Sequence, residues 1–230
     1  MVCIRKKLSC FIQMEILSVE LLTNDLQGTE AFYTRQLGFE IVNRQATAVT
    51  FKAGLTLLTF TLCNGAEPVY HFAFNIPCNQ LEQAYKWIEE RTGIIDITPG
   101  NKIADFVNWN ARSFYFYDNN GNILELIARF DLKNESTLEF CSDSILSISE
   151  IGVAVDDVKN AGDELIEKLC LPVFEKQPRL ENFTALGDHH GLLIISSVNR
   201  HWYPTEKRAQ KNYTGIKIRN GGKILTLQFP

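Results

Sequence analysis

Three times along this chain a strand pattern is followed by a capped helix pattern and then by more strand patterns, and this recurrence constrains the fold most. The first unit covers residues 15–65. Ile16 to Thr23 alternates, with Leu17, Val19 and Leu21 on one face, which predicts a strand. Asn24-Asp25 supplies a short side-chain oxygen that can satisfy free backbone N–H groups at a helix start. Leu26, Thr29, Tyr33 and Leu37 form the helix's buried stripe, and Gly38 ends it. Phe39 to Arg44, Ala48 to Lys52 and Leu55 to Thr61 predict three further strands.

The second unit, residues 70–130, repeats the order. Tyr70 to Ile76 is its strand, Asn79 its cap, and Leu81, Ala84, Tyr85 and Ile88 its helical stripe. A strand or loop region follows Gly93. Ser113 to Tyr117 and Asn122 to Ala128 then flank Asp118-Asn119-Asn120-Gly121, whose residues tolerate a left-handed backbone and so predict a hairpin. In the third unit Ile148 to Val155 is the strand and Asp157 the cap. Val158, Ala161, Leu165, Ile166 and Leu169 make the stripe, with strands at Phe183 to Leu186 and Leu192 to Ser197. A fourth unit is reduced to Thr214 to Arg219 and Lys223 to Phe229 around Asn220-Gly221-Gly222, with no helix pattern. Residues 131–144 are polar and read as a linker, and 1–13 as a disordered extension.

Charge and composition narrow the partners. A net charge of −4 with scattered Lys and Arg gives no electrostatic case for nucleic acid or an anionic membrane. No apolar run approaches the ~20 residues that span a bilayer. The six cysteines lack CxxC or zinc-finger spacing, so reduced thiols in a cytoplasmic protein are expected.

Asp25-Leu26 with Ala31-Phe32-Tyr33 and Leu37-Gly38-Phe39, and Ser113 to Asp118 running through Gly121 to Leu126, resemble the vicinal-oxygen-chelate superfamily of glyoxalases, bleomycin-resistance proteins and extradiol dioxygenases. The resemblance implies an α+β fold of tandem βαβββ units, forming a cupped mixed sheet with helices outside. It implies one complete domain over 14–130 and a partial second one over 145–230. In that family metal ligands lie on the cup face of the first and last strands of each unit. Parity puts His71, Ala73 and Asn75, and Ile123, Glu125 and Ile127, on the cup face. His71 and Glu125 thus fall on ligand positions, with catalytic roles implied for both.

In the first unit the equivalent positions hold Ser18 and Thr59, with Glu20 on the same face. The expected cup, built by the first two units, would then offer Ser18, Glu20, Thr59, Asn75, Tyr115 and Tyr117 to a small-molecule ligand. Ser18 stands seven residues before the capping Asp25, and the same count back from Asp157 in the third unit reaches Glu150, with Ser196 near it; no metal is expected there for want of a partner. Three roles stay open for His71 and Glu125: a divalent metal (Fe, Mn, Ni or Zn), direct hydrogen bonds to a ligand with no metal, or a buried pair that orders the sheet. The matching functions are a metal-dependent lyase, isomerase or ring-cleaving dioxygenase, a binding protein for a small oxygenated or aromatic molecule, or a non-catalytic dimer. A homodimer is expected. His189-His190 reads as an exposed turn. His201-Trp202-Tyr203-Pro204 reads as a packed connection, with a pocket cover as the alternative.

Overall fold

A computed structural model of the chain describes residues 13–230. The extension expected over 1–13 therefore lies outside the described residues, apart from Gln13. Strand β1 (Met14–Thr23), helix α1 (Leu26–Arg35) and strands β2 (Glu40–Arg44), β3 (Ala48–Ala53) and β4 (Thr56–Leu62) form the first unit. The second holds β5 (His71–Ile76), α2 (Leu81–Glu89), β6 (Ala104–Phe106), β7 (Ala111–Tyr117) and β8 (Ile123–Arg129). The third holds β9 (Ser147–Val155), α3 (Val158–Leu169), β10 (Phe183–Asp188) and β11 (Gly191–Ser197); β12 (Thr214–Asn220) and β13 (Lys223–Phe229) close the chain as a hairpin.

Local chemistry explains most boundaries. Asp25 caps α1 by accepting from Gly28 N at 2.9 Å, and Asp157 caps α3 by accepting from Asn160 N at 2.8 Å. Gly38 follows α1 at φ +68°, a conformation that costs glycine little. Asn79 does not cap α2; its amide is engaged with the backbone of Ser136 in the linker, and Gln80 stands at the helix start without a side-chain cap. In β1 the register with β12 shifts between Ile16 and Ser18, so the strict alternation expected there is broken at Leu17.

The strands form two mixed sheets in the orders β13-β12-β1-β4-β3-β2 and β10-β11-β9-β5-β8-β7-β6. Each unit's first strand would leave a row of unpaired backbone groups at the edge of its own strands, and these need a partner. β1 finds it in β12, and β5 finds it in β9, both antiparallel. The first unit thus pairs with the terminal hairpin and the second with the third. This corrects the expectation that the first two units build a cup together. Phe72, Phe74, Ile76, Leu124 and Leu126 are fully buried in a core that also takes the stripes of α1, α2 and α3. The other face of the seven-stranded sheet is left to form a cup. Cys63, Cys78, Cys141 and Cys170 are free thiols, and among the described residues no helix is long and apolar enough to cross a membrane.

Candidate functional site

Register brings the site together. In β5–β8, His71 lies beside Ile123 and Ala73 beside Glu125; in β5–β9, Ala73 lies beside Glu150. Glu125 and Glu150 therefore flank Ala73 on one row, and the methyl group between them leaves room for the carboxylates to converge. His71, two residues along β5, completes the group. One ligand atom from each of His71, Glu125 and Glu150 falls within 4.8 Å of the others, and all three side chains are buried.

The hydrogen bonds define what this cluster can do. His71 Nδ1 lies 3.1 Å from the Ile123 carbonyl, so Nδ1 carries the proton and Nε2 presents its lone pair toward Glu125 Oε2 at 3.7 Å. Burial lowers the His71 pKa to about 4, so the imidazole is neutral and this contact is not an ion pair. Burial pushes the Glu125 carboxyl up to about 8, and the negative Glu150 beside it adds to the rise. Burial also raises Glu150, against the pull of Arg129. Arg129 is fully buried, donates to Glu150 Oε1 and to Asn75 Oδ1, and faces the Trp109 ring at 5.7 Å. A neutral imidazole facing two carboxyls, with one cation already present, has room for either one proton or one metal ion. The donor set of one imidazole and two carboxylates suits a divalent metal with open positions.

These ionisations set a pH dependence for the metal-free chain. Glu125 titrates near 4.5 when unfolded and about 8 when folded, so between those values the folded state binds more protons and stability falls as pH rises. His71 acts oppositely, but only between about 4 and 6.5. From pH 6.5 to 8 the Glu125 contribution is no longer opposed by His71. In chelator-treated protein, urea unfolding should show a loss on the order of 1 kcal/mol per pH unit across that window. Glu125→Gln should flatten it. A stability that climbs there would rule out a buried proton on Glu125.

Above the cluster lies a cavity of about 300 Å³. His71, Glu125 and Glu150 form part of its wall, with Trp109, Tyr115, Trp202 and Tyr203 among its aromatic groups. Trp202 is 3% exposed and packs 5.4 Å from the His71 ring, so within the connection 201–204 this residue packs while His201 and Tyr203 stay exposed, and the rings of Trp202 and Tyr203 wall the cavity. Gly152, two residues beyond Glu150, makes space for it, because a Cβ there would meet Trp202 at 2.7 Å.

The other expected residues lie elsewhere. Ser18, Glu20 and Thr59 are in the six-stranded sheet, where Thr59 pairs with the Thr50 hydroxyl at 2.9 Å and Glu20 with the Tyr213 hydroxyl at 3.4 Å. They do not line this cavity, because β1 and β4 pair with β12 and β3 instead of the second unit. Asn75 holds Arg129 and donates to the His189 carbonyl, so it serves the wall instead of facing the cavity. Tyr117 turns to Lys207, whose Nζ is 5.0 Å from its ring centre. His189 and His190 form the turn between β10 and β11, as expected, but His189 is half-buried against Phe174 and lies 3.4 Å from Asp131. Glu150, in the unit where no metal was expected for want of a partner, joins His71 and Glu125. The position matching Glu125 in the third unit is Ile194, not Ser196, since Glu150 lies beside β11 residue Leu192 as His71 lies beside Ile123.

Residues 15–126 match the family model of the Glyoxalase/Bleomycin resistance protein/Dioxygenase superfamily. No curated protein matches the chain. Among solved structures it is similar to a candidate dioxygenase from Bacillus subtilis, with a TM-score of 0.61 and 16% identity over 94% of this chain and 85% of that one. It is also similar to glyoxalase I from Zea mays, with a TM-score of 0.53 and 13% identity over 95% of this chain and 75% of that one. At these identities the likeness concerns the fold.

Proposed function

Because residues 15–126 belong to the glyoxalase/bleomycin resistance protein/dioxygenase superfamily, and β5 closes a cup with β9, we propose that this chain binds a divalent metal at His71, Glu125 and Glu150 and a small oxygenated aromatic molecule in the cavity beside it. The observation that carries the reading is the buried imidazole–carboxyl–carboxyl group, converging on one point at the wall of an aromatic cavity. Members of the superfamily bind small molecules in such cups, and the fold alone does not select a reaction.

A metal held there would polarise a bound oxygen as a Lewis acid. The protein's own groups do the rest. The Ile123 carbonyl fixes the His71 tautomer, which directs Nε2 to the site. Glu125, with its carboxyl near 8, can exchange a proton with a ligand at neutral pH, in isomerisation, lyase or ring-opening chemistry. Arg129 offsets one of the two carboxylates and orients Glu150. The aromatic walls exclude water and offer ring faces to a planar ligand.

One observation favours a metal-free binding protein as the second reading. With Arg129 paired to Glu150, a single proton on Glu125 neutralises the whole cluster. Elemental analysis after incubation with Fe(II), Mn(II), Ni(II) or Zn(II) separates the two. About one metal per chain is expected, absent from His71→Ala. A folded wild-type chain that takes up none of the four ions rejects the metal half of the proposal and leaves the binding protein.

A further inference from the structure

The wall of the same cavity carries a cation that no carboxylate among the described residues neutralises. Arg200 follows β11, is half-buried and lines the cavity, with its guanidinium 4.8 Å from the centre of the Phe183 ring. Arg44, Arg91, Arg112, Arg129, Arg179 and Arg219 each have a carboxylate partner. Among the described residues Arg200 has no ion pair, and its side chain makes no hydrogen bond. Arg35 and Arg208 also lack carboxylate partners, but both are exposed to solvent. Water serves them. A half-withdrawn guanidinium beside aromatic rings is less well solvated, and a ligand carboxylate would supply the missing charge and a planar, two-pronged acceptor.

The rest of the cavity limits what carries that carboxylate. Glu125 and Glu150 also line the cavity, and an anionic group brought against them would force the proton on Glu125 to stay or a cation to intervene, so a second anionic group is disfavoured there. Trp109, Tyr115, Trp202 and Tyr203 present ring surfaces. A volume of about 300 Å³ lies at the small end of ligand pockets, which run from roughly 300 to 1,000 Å³. From these features we infer that the cavity selects single-ring aromatic acids, with the carboxylate on Arg200 and a hydroxyl or carbonyl oxygen directed to His71, Glu125 and Glu150. The inference rests on the proposed use of this cavity as the ligand site and adds the class of ligand.

The test compares 4-hydroxybenzoate with its neutral counterpart 4-hydroxybenzamide by calorimetric titration of the full chain incubated with Zn(II). Wild type is expected to prefer the acid by at least about tenfold, equivalent to roughly 1.4 kcal/mol. Arg200→Gln should lose that preference and bind the amide as wild type does, which also shows that the variant's cavity is intact. Equal affinity of wild type for both probes, or an equal loss of both in Arg200→Gln, overturns the inference, as does binding of neither. Metal content is read in the same samples. A chain that holds zinc yet shows no preference for the acid loses the Arg200 inference alone. One that holds no metal and binds neither probe loses the reading beneath it as well.

Discussion

Glu150→Ala is expected to abolish metal binding as completely as His71→Ala, whereas Ser18→Ala and Thr59→Ala leave it unchanged. The contrast follows from which strands are neighbours. Glu150 lies across Ala73 from Glu125 because β9 pairs with β5. In the other sheet the positions related to His71, Glu125 and Glu150 are Ser18, Thr59 and Gly215, as the pairings of Glu20 with Thr59 and with Gly215 show. Neither a hydroxyl pair nor a glycine offers an imidazole or carboxylate. Loss of an outer partner of a metal ligand typically costs roughly 10–100-fold in affinity, and loss of one of three direct ligands should exceed that. Competition against a chromogenic chelator measures the change. Full metal content in Glu150→Ala, or its loss in Ser18→Ala, would mean that the site is built differently from the one described.

Arg129→Ala should be the most destabilising single change in the cup, by about 3–5 kcal/mol in metal-free protein. The guanidinium is fully buried, neutralises Glu150 and donates to Asn75, which in turn holds the backbone carbonyl of His189. Truncation leaves Glu150 as a buried acid beside Glu125, an amide oxygen without its donor, and a void against Trp109. Most of the cost is therefore the isolated partner group and not the worth of the pair itself. Pairing Arg129→Met with Glu150→Gln should recover most of the loss, since it removes both charges and keeps the volume. Urea midpoints of the two variants and wild type test this. A loss below about 1 kcal/mol for Arg129→Ala would show that water reaches Glu150 freely.

A small part of the cup's lining, His71, Glu125 and Tyr115, was legible in the chain. Alternation along Phe72, Phe74 and Ile76 assigned that face to the core, and His71 and Glu125 to the other side, before any strand had a neighbour. The capping aspartates and the Asn220-Gly221-Gly222 turn, with φ of +57° and +77° at its glycines, were equally readable, since such signals act over a few residues. The family motifs lie within residues 15–126, which contain two of the three cluster residues but not Glu150. Ile194 in place of Ser196 was missed for a related reason. Counting from a helix cap does not carry the stagger between parallel strands, which only the pairing of Glu150 with Leu192 reveals.

Trp202 shows a different limit. Its stretch has no periodicity, and nothing local says that its ring enters a cavity beside Gly152. The sequence by itself determined the units, their helices and the face of most strand residues, though not of Leu17 at the register shift in β1, because 3.6-residue and two-residue periods are local geometry. Only the tertiary structure decided that the second unit joins the third and the first joins the terminal hairpin. Several pairings would satisfy the backbone hydrogen bonds of β5 equally well. The choice among them rests on packing between segments far apart in the chain, and it is this choice that brings Glu150 to His71 and leaves Ser18 and Thr59 in another sheet.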